Sequence, residues 1–88
     1  MSIDLNLLVV FDAVMAERNL RRAAERLGRT QPAVSQSVAR LRDIFADRLF
    51  EKVPDGVRPT PRAEAIWSEL RAPLHTIRRI LAFYELFH

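Results

Sequence analysis

Thirteen of the fourteen basic residues in this 88-residue chain are arginine. A guanidinium forms paired hydrogen bonds to a phosphate or to the edge of a guanine, which an ammonium cannot do. The arginines are not spread evenly. From Arg18 to Arg62 there are eleven basic residues against five acidic ones, a local balance of +6, whereas the flanks together carry −3 and the whole chain +3. Charge alone reads equally well as a solvated arginine-rich surface or as a face that binds anions, so placement must decide. Other chemistries are poorly provided for. There is no cysteine, and His75 and His88 are the only imidazoles, which leaves neither a disulfide framework nor a structural zinc site. No glycine-rich phosphate loop, carboxylate pair or nucleophile with a nearby base can be assembled, and Ser35 has no histidine near it in sequence. The expectation is a binding protein without catalytic activity or cofactor.

These residues need elements to position them. The length suits one small domain with an appended element, and 49% hydrophobic with 28% charged residues is enough apolar material for a packed core. The apolar run Leu7 to Phe11 falls far short of the roughly 20 residues of a membrane span, and Asp4 stands where a signal peptide would be basic. A cytoplasmic protein is expected. Leu8, Phe11, Val14 and Met15 recur at helical spacing and predict a first helix over Leu5 to Glu17, capped by Asp4. Leu20, Ala23, Ala24 and Leu27 predict a short second helix between Asn19 as cap and Gly28 as terminator. Thr30-Gln31-Pro32 opens a third helix, with Val34, Val38, Leu41 and Phe45 as its buried stripe. Val53-Pro54-Asp55-Gly56 reads as the type I turn of a short β-hairpin, and Thr60-Pro61 begins a long helix running to about Phe87.

Two short helices joined by a tight turn need small residues where they touch and a glycine where the chain reverses. Ala24, Gly28 and Val34 stand at those offsets, as in a helix-turn-helix, although an ordinary helical hairpin in a small bundle would use them too. Opposite the buried stripe, the third helix presents Pro32, Gln36, Ala39, Arg40 and Asp43. Small or amide residues at Gln31, Ala33, Ser35, Gln36 and Ala39 permit insertion into a major groove, where glutamine pairs with adenine and an alanine methyl meets a thymine methyl. Arg21 and Arg22 stand in the first turn of the second helix, where cations oppose the helix dipole. An anion such as a DNA phosphate would offset that repulsion. Splaying into solvent would relieve it as well.

The stretch Asn19 to Ala63 resembles the DNA-binding domain of LysR-type transcriptional regulators. The residues that carry the likeness are Arg22-Ala23-Ala24-Glu25-Arg26-Leu27, Thr30-Gln31-Pro32-Ala33-Val34-Ser35, Leu41, Leu49-Phe50 and Pro59-Thr60-Pro61-Arg62-Ala63. Leu5-Asn6-Leu7-Leu8 and the Arg-Pro-Thr-Pro-Arg-Ala run are similar to the subgroup of nodulation and aromatic-catabolism regulators. The resemblance implies a mainly α fold, a winged helix-turn-helix of three helices and a β-hairpin wing, followed by a long linker helix for dimerisation. It implies a bacterial repressor or activator that binds an interrupted inverted repeat in double-stranded DNA as a homodimer or, in the full-length protein, a tetramer. Carried over to this sequence, Gln31, Pro32, Ala33, Ser35 and Gln36 hold base-contacting positions, beside Ala39 from the helix face. Thr30 caps the recognition helix. Arg22 and Arg40 become backbone contacts, and the dipole argument at the start of the second helix adds Arg21 to them. The family's wing usually reads Arg-Thr-Gly-Arg-Gly, whereas here it is Lys52-Val53-Pro54-Asp55-Gly56. An acid thus replaces the arginine expected in the minor groove, with Lys52 or Arg58 as substitutes. The residue before Thr30 is usually apolar; here Arg29 is expected to reach toward phosphate or solvent. Such proteins continue into an effector-binding domain, so the chain reads as an N-terminal portion and any small-molecule inducer would act through a domain absent here.

The expected division is a winged helix-turn-helix over 1–60 and a linker helix over 61–88. Along that helix Ala63, Trp67, Leu70, Leu74, Ile77, Leu81 and Tyr84 follow a four-three alternation, with Ile66, Pro73, Ile80 and Phe87 in a second row. About 25 residues of helix are roughly 37 Å long, more than the other elements can cover, so Trp67, Leu70, Leu74, Ile77 and Leu81 are expected at a dimer interface. Pro73 should kink the helix unless packing compensates. The competing reading is a winged-helix module that binds protein rather than DNA.

Overall fold

A computed structural model of the chain describes residues 4–86, and the side chains of residues 4–82. The elements are α1 (Leu5–Glu17), α2 (Leu20–Leu27), α3 (Gln31–Phe45), β1 (Phe50–Val53), β2 (Gly56–Pro59) and α4 (Pro61–Leu86). Each short helix begins on the cap that its sequence offers. Asp4 accepts from the Asn6 N–H at 2.9 Å, Asn19 from the Arg22 N–H at 2.9 Å and Thr30 from the Ala33 N–H at 3.3 Å, each satisfying a donor the helix itself leaves free. Gly28 ends α2 at φ +66°, a left-handed conformation that glycine adopts without a Cβ clash.

α1 is the central helix, packed against α2, α3 and α4. Its buried set is therefore wider than one stripe: Leu7, Val10, Phe11, Ala13, Val14 and Met15 are buried, while Leu8, expected inside, is half-buried. Phe11 lies 6.3 Å from the Phe45 ring and 5.8 Å from the Phe50 ring, joining α3 and β1 to α1. Ala24 and Val34 are buried at the α2–α3 crossing, as the helix-turn-helix spacing requires.

β1 and β2 pair antiparallel, with Phe50 opposite Pro59 and Val53 opposite Gly56, leaving Pro54 and Asp55 as the loop. Neither loop residue has a positive φ, while Gly56 takes φ +148°. Glycine is needed there for a second reason. A Cβ at Gly56 would collide with the Arg18 carbonyl, and the adjacent Val57 N–H donates to that same oxygen at 3.0 Å. Before the hairpin, buried Leu49 is held at φ +64°, an uncommon conformation for a branched side chain. The Asp47 carboxylate accepts from its N–H at 2.9 Å and from the Thr60 hydroxyl at 2.7 Å. Those bonds, the Thr60 one first, hold the Asp47 carboxyl below the ordinary aspartate range.

Thr60 also caps α4, accepting from the Ala63 N–H at 3.1 Å. The helix then runs through Pro73 without a break. Its first half belongs to the core. Ala63 is buried, Ile66, Trp67 and Leu70 pack against the core cluster, and Leu74 is 1% exposed. Of the residues expected at a dimer interface, Leu74 is thus buried within the chain, while Trp67 and Leu70 are half-buried against the core. The Trp67 indole N–H donates to Asp12 Oδ1 at 2.9 Å. The apolar surface left uncovered lies further on, at Ile77 (41% exposed), Ile80 (59%) and Leu81 (45%). Phe87 and His88 lie outside the described residues, as does the Tyr84 side chain.

Candidate nucleic-acid interface

α3 turns Val34, Val38 and Leu41 into the core, which leaves Gln31, Pro32, Ser35, Gln36, Ala39 and Arg40 exposed and Ala33 half-buried. This outer face carries two amides, a hydroxyl, a proline and an alanine before its first cation. Such short side chains let a helix backbone approach a groove floor, and the amides can donate and accept at a base edge. Thr30, at the start of the helix, uses its oxygen as acceptor for Ala33 and keeps its own O–H free to donate.

The basic cluster divides in two. Arg18 pairs with Glu64 at 2.9 Å and Arg26 with Glu17 at 3.3 Å, and both pairs tie elements of the fold together. Arg29 donates to the Asn6 side chain on α1. It therefore fastens the α2–α3 turn to the first helix, and its expected reach toward phosphate is corrected. Among the described residues, Arg22, Arg40 and Lys52 are exposed and make no ion pair within the chain. Arg21 is 67% exposed, with a loose 3.6 Å contact to Glu25. Arg21 and Arg22 follow the capped N-terminus of α2 with no acid in its first turn, an arrangement that favours an anion at that end.

The hairpin closes a cleft against the start of α2 and residues from both ends of α3, lined by Arg21, Gln31, Arg42, Lys52 and Val57 together with the turn residues. Side chains alternate across a two-stranded ribbon, so the two candidate wing cations part company. Lys52 shares its face with Val57 and lines the cleft, whereas Arg58 stands opposite Glu51 and pairs with it at 3.2 Å. Exposed Asp55 sits at the wing tip, and its carbonyl lies 3.5 Å from the Asn19 amide.

A family model described as "Bacterial regulatory helix-turn-helix protein, lysR family" matches residues 5–64. The chain belongs to the LysR family. The regulator LeuO of Escherichia coli K12 is 49% identical over 79 residues, covering 90% of this chain and 25% of its own length. Nodulation protein D 1 of Rhizobium meliloti is 48% identical over 85 residues, covering 96% and 28%. The chain thus spans about a quarter of the length of these relatives. Among solved structures, the DNA-binding domain of BenM in complex with catB site 1 DNA superposes with a TM-score of 0.82 at 22% identity, over 97% of this chain and 96% of that one. That likeness establishes the fold.

Within this LysR-family fold, Arg42 is the residue that sequence reasoning missed. It lies in the last turn of α3, and its guanidinium donates to the Arg48 carbonyl at 2.7 Å and to the Phe50 carbonyl at 3.1 Å. Its only signal in the sequence is a cation at a helix C-terminus, which suits the dipole and discloses nothing about a strand eight residues later.

Proposed function

We propose that the chain is the sequence-specific DNA-binding domain of a bacterial LysR-type regulator. α3 enters the major groove, with Gln31, Pro32, Ala33, Ser35, Gln36 and Ala39 toward base edges. Arg21, Arg22, Thr30 and Arg40 meet the sugar-phosphate backbone, and the wing approaches the minor groove with Lys52 from the cleft side and Arg58 from the other. The observation that carries this reading is the exposed face of α3, polar and short in its side chains, flanked by the unpaired Arg22 and Arg40. A face kept only for solubility would carry longer charged residues.

The protein acts as a dimer on an interrupted inverted repeat, joined through the uncovered apolar stretch of α4 at Ile77, Ile80 and Leu81. Assembly into a tetramer, and response to a small molecule, belong to the longer proteins that its relatives represent. It works in the bacterial cytoplasm, beside the chromosome. Among the described residues no helix is long and apolar enough to cross a membrane.

The test is a fluorescence-anisotropy titration at two salt concentrations against genomic upstream fragments and a shuffled duplex of equal length. Tight binding to particular fragments that weakens steeply with salt is expected, because neutralising each phosphate releases counterions. Binding that is weak and equal on every duplex would favour the protein-interaction module.

A further inference from the structure

The wing is a two-stranded ribbon, and the helical body holds it on both outer edges. On the β2 edge, the Val57 N–H donates to the Arg18 carbonyl at 3.0 Å, a bond between backbones. The β1 edge is held differently. Phe50 stands opposite Pro59 in a non-hydrogen-bonded pair, next to the pair in which the Thr60 N–H donates to the Leu49 carbonyl at 2.9 Å, so the Phe50 carbonyl points away from β2. Arg42 supplies its partner, and with the same planar fork takes the Arg48 carbonyl in the loop before the strand. This clamp is a single side chain, and it is carried by the helix that presents Gln36 and Arg40.

We propose that Arg42 is a positioning residue that sets the separation between the reading face of α3 and the wing cation Lys52, and so the register in which the two meet DNA. The proposal rests on the DNA-binding reading above. Arg42 lines the same cleft as Gln31 of α3 and Lys52 of the wing, so a change in its length or donor geometry is felt between the two contacts. Lysine would not replace it, since an ammonium on a flexible stem lacks the rigid fork that engages both carbonyls at once. The base of the wing does not depend on Arg42 alone. Leu49 and Phe50 are buried in the core, and removing the clamp reorients the ribbon while its root stays seated.

The experiment selects a duplex from a randomised pool with the wild-type chain, then measures its affinity across a salt series for wild type, K52A, R42A, R42K and the R42A/K52A double variant. K52A is expected to weaken binding by about tenfold and to lower the salt slope by about one, the signature of one lost phosphate contact. R42A and R42K should reproduce both changes. The double variant should bind no more weakly than R42A, and the dependence of affinity on bases read by Gln36 should persist. Losses that multiply in the double variant, with the slope falling by about two, would mean that Arg42 touches DNA itself and would overturn the proposal. Wild-type binding by R42A, or disappearance of base discrimination along with affinity, would overturn it as well. If R42A does not remain folded by circular dichroism, R42K carries the same comparison with K52A. Failure of the underlying reading is distinct, since the wild-type chain would then select no duplex at all.

Discussion

The indole N–H of Trp67 donates to Asp12 Oδ1 at 2.9 Å, fastening the first half of α4 to the central helix of its own chain. Arg71 stacks over the same indole at 4.5 Å from the ring centroid, and Arg78 lies 4.0 Å from the other Asp12 oxygen. Asp12→Ala removes the acceptor of a half-buried, charge-assisted bond and is expected to destabilise the fold by about 1 to 2 kcal/mol. Urea unfolding checks it, and an unchanged midpoint would mean that the bond contributes nothing to holding α4.

The division of α4 into covered and uncovered halves gives opposite expectations for two leucine and isoleucine positions. Leu74→Ala should lower the stability of the single chain by about 2 to 4 kcal/mol, because a buried side chain is deleted. Ile80→Glu should leave that stability within about 0.5 kcal/mol but shift sedimentation equilibrium toward the monomer. A sedimentation profile untouched by Ile80→Glu would remove α4 from the dimer interface.

Gln36 and Arg22 separate reading from holding. Gln36→Ala should lose about 1 to 3 kcal/mol of discrimination at one or two base pairs. Arg22→Ala should weaken specific and random duplexes alike and reduce the salt slope by about one. Identical behaviour of the two variants on both kinds of DNA would show that the reading face is wrongly assigned.

The glycines differ in what surrounds them. Gly28→Ala meets open space at φ +66°, so only backbone strain of about 1 kcal/mol is expected. Gly56→Ala drives a methyl into the Arg18 carbonyl and should exceed that loss while displacing the wing, as thermal unfolding and amide exchange in residues 50–59 would report. Equal stability of the two variants would contradict the close approach.

Asp47 predicts an acid-side effect. Its folded carboxyl titrates below the ordinary aspartate value because Thr60 and the Leu49 N–H stabilise the anion. A lowered pKa contributes stability at pH above the unfolded value of about 3.9, and that contribution is lost as pH falls through the folded value. The stability gap between wild type and Asp47→Ala should therefore be full at neutral pH and shrink below about pH 4. A gap that stays constant across that range would show that the carboxylate charge plays no part.

Local features were legible in residue types. The caps Asp4, Asn19 and Thr30, the terminator Gly28, the stripe Val34, Val38 and Leu41, and the hairpin around Pro54-Asp55 all involve groups a few residues apart, whose backbone preferences and periodicity are written in order along the chain. The exposed face of α3 follows from the same periodicity. What periodicity does not carry is the identity of the element that covers a stripe. Trp67, Leu70 and Leu74 share their helix row with Ile77 and Leu81, and only packing decides that the first three are covered in whole or part within the chain while the last two stay exposed. The arginines show the same limit, since an anion-binding residue and a structural clamp have the same composition.

The sequence by itself determined the order of the elements, the helix-turn-helix spacing, the concentration of arginine between Arg18 and Arg62 and the small polar face of α3, because each depends on neighbours within about two helical turns. Tertiary structure alone decided which cations are free. Arg18 meets Glu64, Arg29 meets Asn6 and Arg42 meets Phe50, while Arg22, Arg40 and Lys52 make no such pair among the described residues. Those partners are chosen by how the helices and the ribbon pack, and a guanidinium is held or left free according to which carbonyl or carboxylate packing brings within hydrogen-bond distance.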